Sequence, residues 1–352
     1  MGSRFKSEGV HEIPASFSRG AGIFLLWQSI QVTEQTTFAN MTGEQQVESL
    51  IPWVEAVLGA YGLTGAKIES INHEFNSTFK VTSQAGERFA LRVNVNSTKS
   101  IDNLRAEIFW MSKITQVKTP TPVARQDGEY ISSAWHDASA RDLNAVLFTW
   151  LEGEEVGDEP TGEQLFAAGA AMAKLHQNSK SLTLEGRANL PRLDGILWGA
   201  DDHLLDDKSN LSDTERELVK RAFKRIAEVV HAQFAHHTPQ PIHADMHGWN
   251  LMWHDGELAV FDFDDAGIDT PLQDLATSLY YLDTPEQDAA WLKGYESVAP
   301  LPEFSADDIV ALRMQRRLIL LNYLHESTTP EHRGMVGEYS IETMRRLTEW
   351  LQ

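Results

Sequence analysis

His243-Ala244-Asp245-Met246-His247-Gly248-Trp249-Asn250, followed further on by Asp262-Phe263-Asp264-Asp265, is the stretch of this 352-residue chain that says most. Between the two clusters, Leu251-Met252-Trp253 and Leu258-Ala259-Val260-Phe261 flank the turn His254-Asp255-Gly256-Glu257. That pattern reads as a hairpin with polar groups at both ends. Phosphoryl transfer needs a carboxylate beside an attacking hydroxyl and hard oxygen ligands for magnesium. Asp245 and Asn250 offer these from one loop, and Asp262 emerges where an apolar strand ends, facing that loop. Two other readings stand beside this one. A solvated turn uses Asp and Asn as caps, and His243-x-Asp245-x-His247 has the nitrogen and oxygen donors of a zinc cluster.

Working outward, Val47, Leu50, Ile51, Val54, Val57 and Leu58 recur at helical spacing, which predicts an amphipathic helix over Glu44–Leu58. Three β-rich segments follow, Ala66–Asn72, Ser77–Ser83 and Arg88–Val93, and strands in series suggest an antiparallel sheet. Side chains alternate along a strand, so Ala90 and Arg92 share the face opposite Phe89, Leu91 and Val93. A helix over Ser100–Ile114 carries Glu107 and stops before Pro120 and Pro122. Glu129–Trp135 and Ala145–Leu151 read as two further strands. Beyond Glu152-Gly153-Glu154-Glu155 the chain turns mainly helical, over Gly162–His176, Asp213–His231 and Asp307–His325.

The ordered motif resembles the aminoglycoside phosphotransferase family of kinase-like enzymes, the homoserine kinase-like members included. Its signature is His-x-Asp-x-x-x-x-Asn, a hairpin, then Asp-Phe-x-x. The resemblance implies that Asp245 is the catalytic base, that Asn250 and Asp262 bind magnesium, and that Asp264 is an extra ligand. It continues through Pro271-Leu272-Gln273-Asp274-Leu275-Ala276, where Asp274 would buttress the catalytic loop. Glu74-Phe75-Asn76-Ser77-Thr78-Phe79 looks like the turn that covers the nucleotide, which brings in Asn76 and Ser77. Ala90-x-Arg92 stands where kinase-like enzymes carry Ala-x-Lys. Ala90 would touch adenine and Arg92 would hold phosphate while paired with Glu107; Arg keeps the charge but forks onto its partner. Adenine would lie along residues 147–151, beside Phe148 and Trp150.

The fold so implied is α+β: a bilobal protein kinase-like architecture with a small antiparallel-sheet N-lobe over 41–148 and a mainly helical C-lobe over 149–352. Residues 1–40 read as a poorly ordered tail. ATP and Mg2+ are the implied cofactors, and a hydroxyl of an aminoglycoside, homoserine, choline or similar amino alcohol is the implied acceptor. Residues after Tyr280, among them Trp291, Tyr295, Arg313, Arg316 and Arg317, are expected to shape acceptor choice. The charge of −21, from 51 acidic and 30 basic residues, disfavours nucleic acid and anionic membranes as partners. Its pull toward a cationic acceptor conflicts with the arginines, which suit an anionic one. No apolar run reaches membrane-spanning length, and the lack of cysteine excludes disulfides and thiolate chemistry and fits a cytoplasmic protein. The competing functions are a protein Ser/Thr kinase, for which the short stretch from Asp262 to Pro271 leaves little peptide platform, a His/Asp metallohydrolase and a nucleotide-binding pseudokinase.

Overall fold

The first helix, α1 (Gly43–Leu58), starts at a capping box in which Thr42 and Gln45 satisfy each other's backbone N–H groups. Its buried side, Leu50, Trp53, Val54, Val57 and Leu58, lies on a five-stranded antiparallel sheet. The strands are β1 (Lys67–His73), β2 (Ser77–Thr82), β3 (Arg88–Val93), β4 (Ile131–His136) and β5 (Arg141–Thr149), in spatial order β1-β2-β3-β5-β4. Strand alternation divides the residues between two cores. Phe79, Val81, Leu91, Val93, Leu143, Ala145 and Leu147 face α1, while Val146 and Phe148 turn toward a second, larger core. The computed structural model describes residues 37–96, 99–186, 188–206, 209–327 and 330–352. Most of the tail expected over 1–40 falls outside the described residues, but Phe38 is buried in the α1 core, and its carbonyl accepts from Gln46 Nε2 at 2.8 Å.

Between β3 and β4, α2 (Ile101–Lys113) packs Ile108, Trp110 and Met111 into the larger core. There Trp110 meets Phe263 edge to face at 5.3 Å. A three-stranded sheet joins the short β6 (Glu154–Glu155) to the hairpin of β8 (Leu251–His254) and β9 (Glu257–Val260). Before that hairpin come α3 (Gly162–Ser179), α4 (Asp213–His236) and β7 (Gln240–Ile242). After it come β10 (Gly267–Asp269), antiparallel to β7, and the helices α5 (Pro271–Leu279), α6 (Pro285–Glu296), α7 (Ala306–Glu326) and α8 (Pro330–Trp350). Among the described residues, no helix is long and apolar enough to cross a membrane.

Helices α3 and α6 touch backbone to backbone at two glycines. A Cβ on Gly169 would sit 1.9 Å from the Trp291 carbonyl oxygen, and one on Gly294 would sit 2.0 Å from that of Phe166. Backbone cannot rotate away as a side chain can, so Gly294→Ala is expected to cost about 3 kcal/mol of stability in chemical denaturation. The same packing corrects two expectations about acceptor choice. Trp291 is 1% exposed in this seam, and Tyr295 is buried with its hydroxyl 2.9 Å from His176 Nδ1. Both are packing residues.

Candidate active site

The loop after β7 is held in an unusual shape by a carboxylate from α5. Asp274 accepts from the backbone N–H of Ala244 at 2.8 Å and of His243 at 3.2 Å, and from His176 Nε2 at 2.8 Å. Ala244 has φ 63°, a left-handed conformation that costs an L-residue free energy and persists only where the surroundings impose it. Imposed here by Asp274, the kink presents Asp245 and Asn250 together. Asn250 donates through Nδ2 to the Asp245 carbonyl at 2.8 Å and to Asp245 Oδ2 at 3.2 Å. Asp262 also has positive φ, 57°, where β9 has ended.

His243 spends both ring nitrogens on structure. Nδ1 accepts from Asp245 N–H at 3.3 Å and Nε2 lies 3.0 Å from the Phe261 carbonyl oxygen, an arrangement that leaves no lone pair for zinc. His247 is buried, with Nε2 3.4 Å from Asp245 Oδ2, its Nδ1 accepting from Trp249 N–H and its ring against Tyr281. The two imidazoles of the His243-x-Asp245-x-His247 cluster are thus already committed, and His254, the other histidine near them in sequence, is exposed beside Asp255.

Arg92 projects from β3 into the cleft and is ringed by acids. Nη2 is 2.6 Å from Glu107 Oε2 and 3.8 Å from Asp264 Oδ1, and Nη1 is 3.2 Å from Asp262 Oδ1. Burial works against the Arg92 charge, but Glu107, Asp264 and Asp262 overcome it and hold the guanidinium protonated. Burial likewise pushes the Glu107 carboxyl up, opposed by Arg92. A cleft of about 290 Å³ opens beside this pair, lined by Ala90, Arg92, Glu107, Phe148, Trp150, Asn250 and Asp262 among others. Two expected nucleotide contacts lie elsewhere. Ser77 is on the α1 side of β2, bonded to His73 Nδ1 at 2.7 Å, so alternation gives Thr78 to the cleft instead. Asn76 is buried and accepts from Asn94 Nδ2 at 3.0 Å, and that amide also donates to Asp264 Oδ1 at 3.1 Å. Asn94 had a signal in the sequence, since it is two residues beyond Arg92 on the same face of the strand. In the turn itself, Phe75 meets Tyr323 of α7 edge to face at 5.1 Å.

The largest addition is Arg316 of α7, a residue expected to shape acceptor choice. It is fully buried, its Nη2 is paired with Asp245 Oδ1, and its Nη1 is 3.5 Å from Asp265 Oδ2. Tyr281 donates to the same Asp245 oxygen at 3.1 Å and accepts from Arg316 Nη2 at 2.8 Å. Burial alone would raise the Asp245 pKa, yet Arg316 and then His247 outweigh it and hold the carboxyl well below its ordinary range. Arg313 and Arg317 are otherwise engaged, with Asp288 at 2.6 Å and over the Tyr339 ring at 4.3 Å.

The orphaned groups indicate what this site can take up. Asp264 Oδ2 is buried without a hydrogen-bond partner among the described residues, its backbone N–H donates to Asp262 at 3.4 Å, and Asp262 lines the cleft with Asn250; hard oxygens of this kind suit magnesium. The sequence profile of the phosphotransferase enzyme family matches residues 67–306, which contain all of these groups. The chain belongs to that family. This phosphotransferase is 28% identical over 247 residues to a homoserine kinase of Brucella anthropi, covering 66% of this chain and 70% of that one. It is 20% identical over 195 residues to an amicoumacin kinase of Bacillus subtilis, covering 54% and 56%. Among solved structures, an amicoumacin kinase in complex with AMP-PNP and Ca2+ superposes with TM-score 0.69 at 18% identity, over 87% of this chain and 96% of that one. A microcompartment-associated aminopropanol kinase gives 0.68 at 20%, over 86% and 97%. These likenesses are of fold, and the phosphotransferase has the kinase-like architecture that its motif implied.

Proposed function

We propose that this small-molecule kinase transfers the γ-phosphate of ATP, with magnesium, to a hydroxyl of an amino-bearing small molecule. The observation that carries the reading is Asp245, buried and ionised at the head of a loop it shares with Asn250. Homoserine kinase and aminopropanol kinase, whose names pair an amine with a hydroxyl, support the acceptor class. Ala90, Phe148 and Trp150 would enclose the base, Arg92 would face the phosphates with Glu107 holding it in place, and Asn250, Asp262 and Asp264 would hold the metal. Magnesium bound with ATP supplies neutralisation of the phosphate charge and in-line alignment of the leaving oxygen. Asp245 would orient the acceptor hydroxyl and take its proton as the new oxygen–phosphorus bond forms. Arg316 and Tyr281 fix the carboxylate in that aim.

The test is transfer from ATP, with and without Mg2+, to a panel of amino alcohols, hydroxy amino acids and aminoglycosides. Metal-dependent phosphorylation of one member supports the reading, and failure to bind ATP with Mg2+ would overturn it. Asn250→Ala is expected to raise the Mg2+ concentration for half-maximal rate by roughly tenfold or more, as loss of a metal contact does. An unchanged magnesium requirement would remove Asn250 from the metal site.

A further inference from the structure

Trp198 carries two marks of a residue held for a purpose. Its φ is 53°, a left-handed conformation that is an outlier for a bulky side chain, and its Nε1 is buried without a hydrogen-bond partner. The turn that imposes this is clamped by Gln315 of α7, whose Nε2 donates to the carbonyls of Gly195 and Ile196 at 3.3 and 3.1 Å. The indole packs against the small cluster of Leu193, Ile242 and Ala244, the last being the residue before Asp245, and its ring centre lies 5.4 Å from the Arg316 guanidinium carbon. Strain and an orphaned donor beside a catalytic carboxylate point to a ligand contact.

Donor accounting at Arg316 names the ligand group. A guanidinium has five N–H groups. Nε and Nη2 are committed to Tyr281 and Asp245, whereas among the described residues Nη1 has only Asp265, at 3.5 Å. Resting on the kinase reading above, we infer that Trp198 Nε1 and Arg316 Nη1 together bind a carboxylate of the acceptor, which is therefore a hydroxy acid or hydroxy amino acid. A carboxylate arriving there replaces Asp265 at Nη1. Asp265 then pairs with an amino group of the same molecule, so a zwitterionic acceptor leaves the local charge unchanged.

The experiment compares carboxylate acceptors, namely L-homoserine, L-threonine and 4-hydroxybutyrate, with 3-aminobutan-1-ol, 1-aminopropan-2-ol and kanamycin, which lack the carboxylate. The protein as it stands is expected to phosphorylate at least one acid, with kcat/KM roughly tenfold or more above its carboxylate-free counterpart. Trp198→Phe keeps the ring and removes the N–H. It is expected to raise KM for that acid by roughly tenfold while kcat and the KM for ATP stay within about threefold. Transfer only to the carboxylate-free compounds, or no transfer to any acid, overturns the inference and needs no variant; in the first case the kinase reading survives. An unchanged KM in a folded Trp198→Phe protein also overturns it. If ATP with Mg2+ does not bind, the kinase reading falls and the inference falls with it.

Discussion

Asp245→Asn is expected to lower kcat for phosphate transfer by about a thousandfold, within the usual range for loss of a general base. The amide is isosteric, so the loop keeps its path and ATP affinity should stay within about threefold. Stability is expected to fall too. Arg316 is fully buried and would keep only the long contact to Asp265 as a charged partner. Breaking one side of a buried pair costs about 3–5 kcal/mol. Steady-state kinetics and a denaturation curve on the same preparation separate the two effects. Activity within tenfold of the parent would mean that another group orients the hydroxyl, and Asp265 would be the first to examine.

The second large effect is expected from Asp274→Ala. This change strips the acceptor from two buried backbone N–H groups and from His176 at once. Each orphaned buried donor costs about 1–3 kcal/mol, so a loss of about 4 kcal/mol is expected even with partial relaxation. Ala244 would also lose the contact that holds its left-handed backbone, and kcat should fall although no atom of Asp274 meets substrate. The loss has a pH signature. Burial raises the Asp274 pKa, but the His176 hydrogen bond and its other partners bring it below the ordinary carboxylate value. A depressed folded pKa stabilises above the unfolded value of about 3.9, and that stabilisation fades as pH falls through the folded pKa. The gap between parent and variant should therefore narrow in acid. A gap that is constant from neutral pH down to about 3 would show that the Asp274 charge contributes nothing.

How far the sequence could be read depended on how local each signal was. The sheet, the hairpin and α1–α4 showed themselves in periodicity and turn residues within windows of ten or so positions. Strand β5 starts at Arg141, earlier than its apolar run, because the chain reverses tightly through Ala140 at φ 49°. Strands β7 and β10 have three residues each and find each other across the whole hairpin, which leaves no periodic trace. Helix α7 was visible, but its orientation was not, since it buries Gln315, Arg316, Arg317 and Asn322 alongside its leucines. The grouping of the candidate site was legible where its members follow one another along the chain, as Asp245 and Asn250 share one loop and Asn250 and Asp262 line one cleft. It was illegible where the partner comes from far away, as Arg316 and Tyr281 do for Asp245. Ser77 was lost to a one-residue step, which on a strand exchanges one face for the other.

Arg316 and Tyr323 stand seven residues apart on α7, two turns along one side of the helix. The first grips Asp245, the proposed base, and the second meets Phe75 in the turn proposed to cover the nucleotide. A single rod thus bears on both Asp245 and that turn. Any drift in its pitch or roll moves the two ends together, so mutations that widen the choice of acceptor through α7 also disturb the seating of the nucleotide cover. Variation in acceptor preference should be easier to acquire on the turn around Trp198, which can change without turning the rod.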